Sequence, residues 1–307
     1  MKAARIKEPK GFEGIDGLVY EDAPDPQPAI GDALVQVRAA GFTPTELTWP
    51  LATDRAGHDR GWRIPADEGS GIVVALGYGA AGVSVGDEVY GLIDSYRDGW
   101  AADYVAIEVR SLSPKPATVD FVQAAAIPQA ALTSWQALFD HGHLESGQTV
   151  VIHGAGGGVG SMGVPLARWA GAHVIGTGRA NARRRVLDIG AEAFVDVERD
   201  GWENAVGPVD LVYDIIGGDV LARSAAIVKP GGAIVSVVAQ PQTDRSDIRT
   251  VFFVRDANGA QLREIARLVD ERTLHPDVSA VYPVADARKA FMAKSTEHIP
   301  GKVVLTP

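Results

Sequence analysis

Two stretches of the chain carry residue types suited to holding an anionic cofactor. Positions 149–160 read Thr-Val-Val-Ile-His-Gly-Ala-Gly-Gly-Gly-Val-Gly. An apolar run at 150–152 gives way to Gly154, Gly156, Gly157, Gly158 and Gly160, with Ala155 and Val159 set among them. Glycine lets the backbone turn sharply and approach a phosphate with no Cβ in the way. Val159, Met162, Gly163, Leu166 and Ala170 then recur at helical spacing. Strand, glycine turn and helix make the frame that holds a dinucleotide pyrophosphate, because the first helix amides are unpaired and the dipole favours negative charge there.

The second stretch follows the next predicted strand and reads Thr177-Gly178-Arg179-Ala180-Asn181. An NAD-selective site places Asp or Glu about 20 residues beyond the glycines, to accept from the ribose 2′-OH. Here no carboxylate follows the glycines until Asp188, and Arg179, Arg183, Arg184 and Arg185 come first. A 2′-phosphate is a dianion that calls for guanidinium donors. The pattern predicts NADPH, with Arg179 as the principal contact, Asn181 and Arg184 as secondary ones, and Thr177 and Gly178 lining the turn. Arg183 and Arg185 read as solvating the helix that follows.

These stretches need a scaffold. The 307 residues suffice for two domains, and 46% hydrophobic with 22% charged residues is ordinary for a globular protein. A net charge of -10, from 39 acidic and 29 basic residues, argues against nucleic acid or an anionic membrane as the main partner. There is no cysteine, which excludes disulfides, thiol nucleophiles and cysteine-ligated metal sites. No signal-peptide core or membrane-length apolar run occurs, so a cytoplasmic protein is expected.

Residues 1–117 read as mostly β, with alternating or apolar strands at 33–38, 71–76 and 87–92, a proline-rich connector at 23–28 and a polar loop at 50–63. Beyond 118 strands alternate with helices. Helices are predicted at 121–126 and 130–138, separated by Pro128, and at 158–170, 181–189 and 219–228. Strands are predicted at 149–153, 172–176, 193–197, 209–214, 232–237 and 249–254. This is the rhythm of a doubly wound parallel sheet. Pro165 falls inside a predicted helix, where a kink or local widening is expected. Helices at 260–272 and 284–293 and a strand at 301–305 exceed that count and are returned to the first domain.

Several stretches in order resemble the medium-chain dehydrogenase/reductase superfamily, in its zinc-independent quinone oxidoreductase-like branch. They are Gly82-Val83-Ser84-Val85-Gly86-Asp87-Glu88-Val89, the segments 124–128 and 133–138, Asp210-Leu211-Val212-Tyr213-Asp214 with Gly217-Gly218, Lys229-Pro230-Gly231-Gly232, and Gly301-Lys302-Val303-Val304-Leu305. The resemblance covers nearly the whole chain. It implies an α/β protein with a GroES-like mostly-β domain from both chain ends (1–117 and 258–307), a Rossmann NADP-binding domain (118–257), and a cofactor in the cleft. By position it adds Thr133, Ile215, Ile216, Gly217, Val237, Val238, Ala239, Phe252, Phe253, Val254 and Lys302 as cofactor contacts, Lys302 reading equally well as a surface lysine. Family members often dimerise through the edge strand of the cofactor domain, here 249–254 or 232–237, so a homodimer is an expectation of the resemblance.

Zinc-dependent relatives read Cys-Gly-Thr-Asp and Gly-His-Glu where this chain has Thr43-Pro44-Thr45-Glu46 and Ala66-Asp67-Glu68. Thr43 stands in the cysteine slot and Asp67 in the histidine slot, so no metal is expected. His141 and His143 read as an exposed loop pair, and His153 as packed beneath the glycine loop. A site of this kind suits quinones and enones, whose conjugation spreads the incoming charge of a hydride. Thr43, Thr45 and Tyr96 are the catalytic candidates, with Trp49, Asp67 and Trp100 as further pocket residues. A zinc-free alkenal, aldehyde or enoyl reductase of the same fold stays open, as does a non-catalytic NADPH-binding sensor or structural protein.

Overall fold

The structure is a computed structural model describing residues 1–7, 14–48, 56, 58, 61–297 and 299–307. Trp49 and most of the polar loop at 50–63 lie outside the described residues. The chain divides into two compact units: Met1–Gln129 with Ala257–Arg272 and Pro276–Pro307, and Ala130–Asp256 with Thr273–His275. No described helix is long and apolar enough to cross a membrane.

The second unit holds six parallel strands in the order Ala193–Asp196, His173–Gly178, Thr149–His153, Val209–Asp214, Val228–Ser236 and Arg249–Phe252. Numbered along the sequence this is 3-2-1-4-5-6, the doubly wound order, with its topological switch between the first and fourth strands. Val150, Val151 and Ile152 are fully buried, as expected of a strand covered on both faces. Gly160–Trp169 is helical without interruption through Pro165, so the expected kink or widening does not break it.

The first unit holds a three-stranded sheet, Leu18–Asp22, Lys2–Lys7 and Trp62–Arg63, and a larger antiparallel-rich sheet. The larger sheet runs Val278–Pro283, Lys302–Thr306, Asp32–Gly41, Glu68–Leu76, Glu88–Leu92 and Leu112–Pro114, with Tyr104–Glu108 also pairing Asp32–Gly41. Its apolar core gathers Val35, Val37, Val73, Val89, Ile107, Phe291 and Leu305, residues from both ends of the chain. Phe42 and Phe291 stack with ring centroids 3.9 Å apart.

The unit boundary falls after Gln129 rather than after residue 117. Phe121–Ala125 belongs to the first unit because Ala125 and Ala126 pack with Ala39 and Val304. Asp120 caps this helix in a reciprocal capping box with Gln123. Pro128 opens the next helix, Pro128–Trp135, instead of merely separating two. That is the position where its missing N–H costs nothing. The expected helix to Leu138 turns at Gln136 into a π-helix, Gln136–His141. The buried Gln136 amide exchanges two hydrogen bonds with the main chain of Asp256, each 2.9 Å long.

Candidate active site

In the second unit the glycine loop is bent by hydrogen bonding, and its shape depends on missing side chains. Gly154 has φ 77°. The amides of Gly154 and Ala155 both donate to the Thr177 carbonyl, at 3.1 and 3.0 Å, and Gly157 N–H closes a turn onto Gly154 O at 2.9 Å. A Cβ on Gly160 would sit 2.3 Å from Gly154 O, so the helix can begin this close to the loop only with glycine there. Gly156, Gly157 and Gly158 stay accessible, whereas Ala155 is buried.

The loop has a polar foundation that periodicity could not reveal. His153 is fully buried, with Nδ1 2.8 Å from Thr177 Oγ1 and Nε2 3.0 Å from Ser224 Oγ. Ser224 donates its own proton to Val220 O at 2.7 Å, so its oxygen accepts from Nε2–H, and the Thr177 hydroxyl donates to Nδ1. Burial pushes the His153 pKa down to about 3, so the ring is neutral. Ser134 extends the scaffold by donating to Val159 O at 3.0 Å.

Two more turns end the fourth and fifth strands. The buried Asp214 carboxylate accepts from Ile216 N–H at 3.2 Å and from Gly217 N–H at 3.1 Å, and Ser236 Oγ donates to it at 2.8 Å. Ser236 Oγ in turn accepts from Val238 N–H at 3.1 Å and Ala239 N–H at 3.3 Å. Ile216, Val238 and Ala239 are thereby held exposed at the carboxyl edge of the sheet, where an open α/β sheet binds its ligand. The accessible glycines and apolar edge fit a dinucleotide, which would rest its pyrophosphate on the glycine loop. Asp214, Ser236 and Ser224 were missed in the sequence. For Asp214 and Ser236 the one available signal is a polar residue closing an apolar strand just before a turn; Ser224, which opens a 3₁₀ turn after a helix, carries none.

Several sequence-predicted contacts have other occupations. Thr177 is fully buried and bonded to His153, so it supports the loop from behind. Phe253 is buried against His141, ring centroids 4.3 Å apart, because the last strand ends at Phe252 and the chain turns inward. Thr133 is buried in its helix, while Phe252 and Val254 are exposed. Arg179 is exposed just past the second strand and pairs with Glu198 at 3.2 Å. Asn181 is exposed, and Arg184 projects to solvent with Asp188 3.6 Å away. Arg183 lies over the Phe194 ring, its carbon 6.0 Å from the centroid.

The first unit carries the other candidates. Thr43 is half-buried and Thr45 exposed, at the start of the short 3₁₀ turn Pro44–Thr48. Tyr96 is exposed in the loop at 94–100. Trp100 is fully buried against Gly69, where a Cβ would lie 2.4 Å from its ring, so it belongs to the core and walls no cleft. Lys302 is neither a surface lysine nor free for a cofactor. It is buried in an ion pair with Glu68, and its ammonium donates to Phe42 O at 3.1 Å. Glu68 also accepts from Gln129 N–H at 2.8 Å.

Beside the threonine turn lies a buried polar cluster. Arg63 donates from Nη1 to Glu46 O at 3.0 Å and from Nη2 to Asp67 Oδ1 at 2.8 Å. Asp67 Oδ2 accepts from Ser95 Oγ at 2.7 Å. The Glu46 carboxylate accepts from Ala66 N–H at 2.8 Å. Burial, with the Asp67 charge beside it, raises the Glu46 pKa. Among the described residues no group of three or more His, Asp or Glu side chains is arranged to hold a metal ion. Asp67 is committed to a guanidinium on one oxygen and a hydroxyl on the other, and a cation so close disfavours a second one. The donor set therefore does not fit zinc.

Residues 29–117 match the family described as alcohol dehydrogenase GroES-like domain, and residues 189–305 the family described as zinc-binding dehydrogenase. The chain is 30% identical to a probable mitochondrial zinc-binding oxidoreductase of Arthroderma benhamiae, covering 94% of this chain and 92% of that protein. It is 26% identical to a chloroplastic NADPH-dependent alkenal/one oxidoreductase of Arabidopsis thaliana, covering 96% of this chain and 78% of that protein. Its fold superimposes on the quinone oxidoreductase of Coxiella burnetii with a TM-score of 0.90 and 27% identity, covering 100% of this chain and 99% of that one. With its 3-2-1-4-5-6 sheet, glycine loop and mostly-β unit built from both chain ends, the chain belongs to the medium-chain dehydrogenase/reductase family of oxidoreductases.

Proposed function

We propose that the protein is an NADPH-dependent, metal-independent reductase of quinones or α,β-unsaturated carbonyls. What carries this reading is that Arg179 stands exposed beyond the second strand while, in the other unit, the Asp67 carboxylate is spent on Arg63 and Ser95. The first favours a 2′-phosphate. The second leaves the substrate side with hydroxyl groups in place of metal ligands. The names of the Arabidopsis and Coxiella relatives support the same chemistry.

When bound, the nicotinamide supplies a hydride to an electron-poor carbon or oxygen. The chain's own part is to hold and orient. Gly156, Gly157 and Gly158 offer backbone to the pyrophosphate, Arg179 meets the 2′-phosphate, and Ile216 and Val238 give apolar contact. Thr43 and Thr45 offer hydroxyls that can donate to a substrate oxygen as charge builds on it. The edge strand Arg249–Phe252, with its exposed Phe252 and the exposed Val254 just beyond it, is the proposed edge for self-association.

The test follows NADPH and NADH oxidation with quinones, enones, aldehydes and alcohols, with and without chelator. Turnover of a quinone or enone, preference for NADPH and indifference to chelator are expected. Tight NADPH binding with no turnover would instead identify a binding protein. Loss of activity with chelator would overturn the metal-free reading.

A further inference from the structure

The three candidate side chains of the first unit sit on two segments: Thr43 and Thr45 at the Pro44–Thr48 turn, and Tyr96 in the loop at 94–100. Neither is a regular strand or a long helix, so neither is rigid by itself. One buried guanidinium connects them. Arg63 holds the turn through the main-chain oxygen of Glu46, and it holds Asp67, whose other oxygen receives the hydroxyl of Ser95, the residue before Tyr96. Arg63 and Asp67 are almost wholly removed from solvent, with side chains 1% and 2% exposed.

The backbone beside this cluster is itself in an unusual state. Ala66 is fully buried at φ 70°, a left-handed conformation rare for alanine. Two hydrogen bonds hold it there: its N–H donates to the Glu46 carboxylate at 2.8 Å, and its carbonyl accepts from Trp100 N–H at 2.7 Å. Ala66 thus reaches the turn on one side and the far end of the 94–100 loop on the other. Buried ions are a poor way to gain stability, since apolar residues of similar volume often serve as well. Strained backbone persists only where its surroundings over-determine it. Both features together point to a requirement for geometry.

We propose that Arg63, Asp67 and Ser95 form a positioning unit that fixes the turn bearing Thr43 and Thr45 and the loop bearing Tyr96 in one arrangement for the hydride acceptor. The proposal rests on reading those three side chains as the substrate side of the site. Arg63, Asp67 and Ser95 act through them.

The experiment measures steady-state kinetics of the full-length chain with NADPH and the best acceptor from the panel above. The variants are Arg63→Lys, Asp67→Asn and Ser95→Ala, with Thr43→Ala, Thr45→Ala and Tyr96→Phe as references. Arg63→Lys and Asp67→Asn are expected to lower kcat/KM about ten-fold or more, the scale of effect that misplacement of reacting groups produces. NADPH affinity, followed by fluorescence titration, should stay near the parent value, because the glycine loop lies in the other unit. Ser95→Ala should lose less, and combining it with Tyr96→Phe should cost no more than the worse single change, since both remove the same contribution. A merely structural role predicts lower melting temperatures with unchanged kcat/KM. Should Arg63→Lys fail to fold, the near-isosteric Asp67→Asn and the cycle with Ser95→Ala carry the test. Parent-like kcat/KM in Arg63→Lys and Asp67→Asn, alongside a large loss in Thr43→Ala or Tyr96→Phe, overturns the proposal alone. Parent-like kinetics in all three reference variants overturns the substrate-side reading, and the proposal with it.

Discussion

Acidification should remove the stability that one buried ring, His153, contributes to the fold. His153 is neutral in the folded chain, with Nε2–H donating to Ser224 and Nδ1 accepting from Thr177. Trp202 stands edge-on to it, ring centroids 5.3 Å apart. Burial lowers the pKa from 6.5 to about 3. The folded value is the lower one, so between the two values the unfolded chain binds a proton that the folded chain refuses. Stability is therefore intact above the unfolded pKa and falls as pH drops through that window. Linkage with these two values gives a loss of about 2 kcal/mol near pH 5 relative to pH 8, from this group alone. Urea unfolding followed by tryptophan fluorescence at both pH values measures it. Carboxylates titrate as well, and Glu46, whose pKa burial raises, shifts stability the opposite way over the same range, so the comparison is with His153→Gln, which keeps a donor and an acceptor but cannot titrate. The variant should start less stable, by about 1–3 kcal/mol for an imperfectly replaced buried network, yet lose about 2 kcal/mol less than the parent on acidification. Equal losses in parent and variant would refute the reasoning.

Three further outcomes follow from the geometry. Arg179→Ala should weaken NADPH about ten-fold relative to NADH in equilibrium titrations, roughly one charge-assisted hydrogen bond, whereas Glu198→Gln, which releases Arg179 from its exposed pair, should tighten NADPH by at most a few-fold. An unchanged NADPH to NADH ratio in Arg179→Ala would remove the basis for the cofactor assignment. Gly160→Ala would force a Cβ to 2.3 Å from Gly154 O, so the melting-temperature rise on adding cofactor should disappear. Lys302→Met leaves the Glu68 charge buried without its ammonium, at a cost of about 3–5 kcal/mol by urea titration, and Lys302→Met with Glu68→Gln should recover most of it.

The six strands of the second unit were readable because each is an apolar run flanked by turn residues, and the observed ends differ from expectation by a few positions at most. What sequence could not resolve was parity. Successive residues at a strand end point to opposite sides, so a run such as 252–254 cannot all face a ligand. Phe253 turns inward, while Phe252 and Val254 lie exposed. Pairings across long sequence separations were equally hidden. Nothing in spacing links His153 to Ser224, Lys302 to Glu68, or Ser95 to Asp67, and each of those contacts alters what a predicted site residue can do. The helix at 121–125 was placed correctly but assigned to the wrong unit, because its alanines pack on Val304 near the other end of the chain.

The route of the chain between its two units sets a timetable for its synthesis. The nucleotide-binding unit has all its residues once position 275 has been made. The β unit, although it begins at Met1, waits for Lys302–Thr306, whose Val304 and Leu305 pair with Gly41 and Ala40 in the interior of its larger sheet. Domains generally fold in the order in which they leave the ribosome. Here the first unit to emerge is the last to close, and until then a nascent chain displays the Ala40–Gly41 end of Asp32–Gly41 with one edge unpaired and Glu68 with no ammonium to answer it. A chaperone that shields strand edges would find its target around residues 40 and 41, and would release it once Lys302–Thr306 has been made.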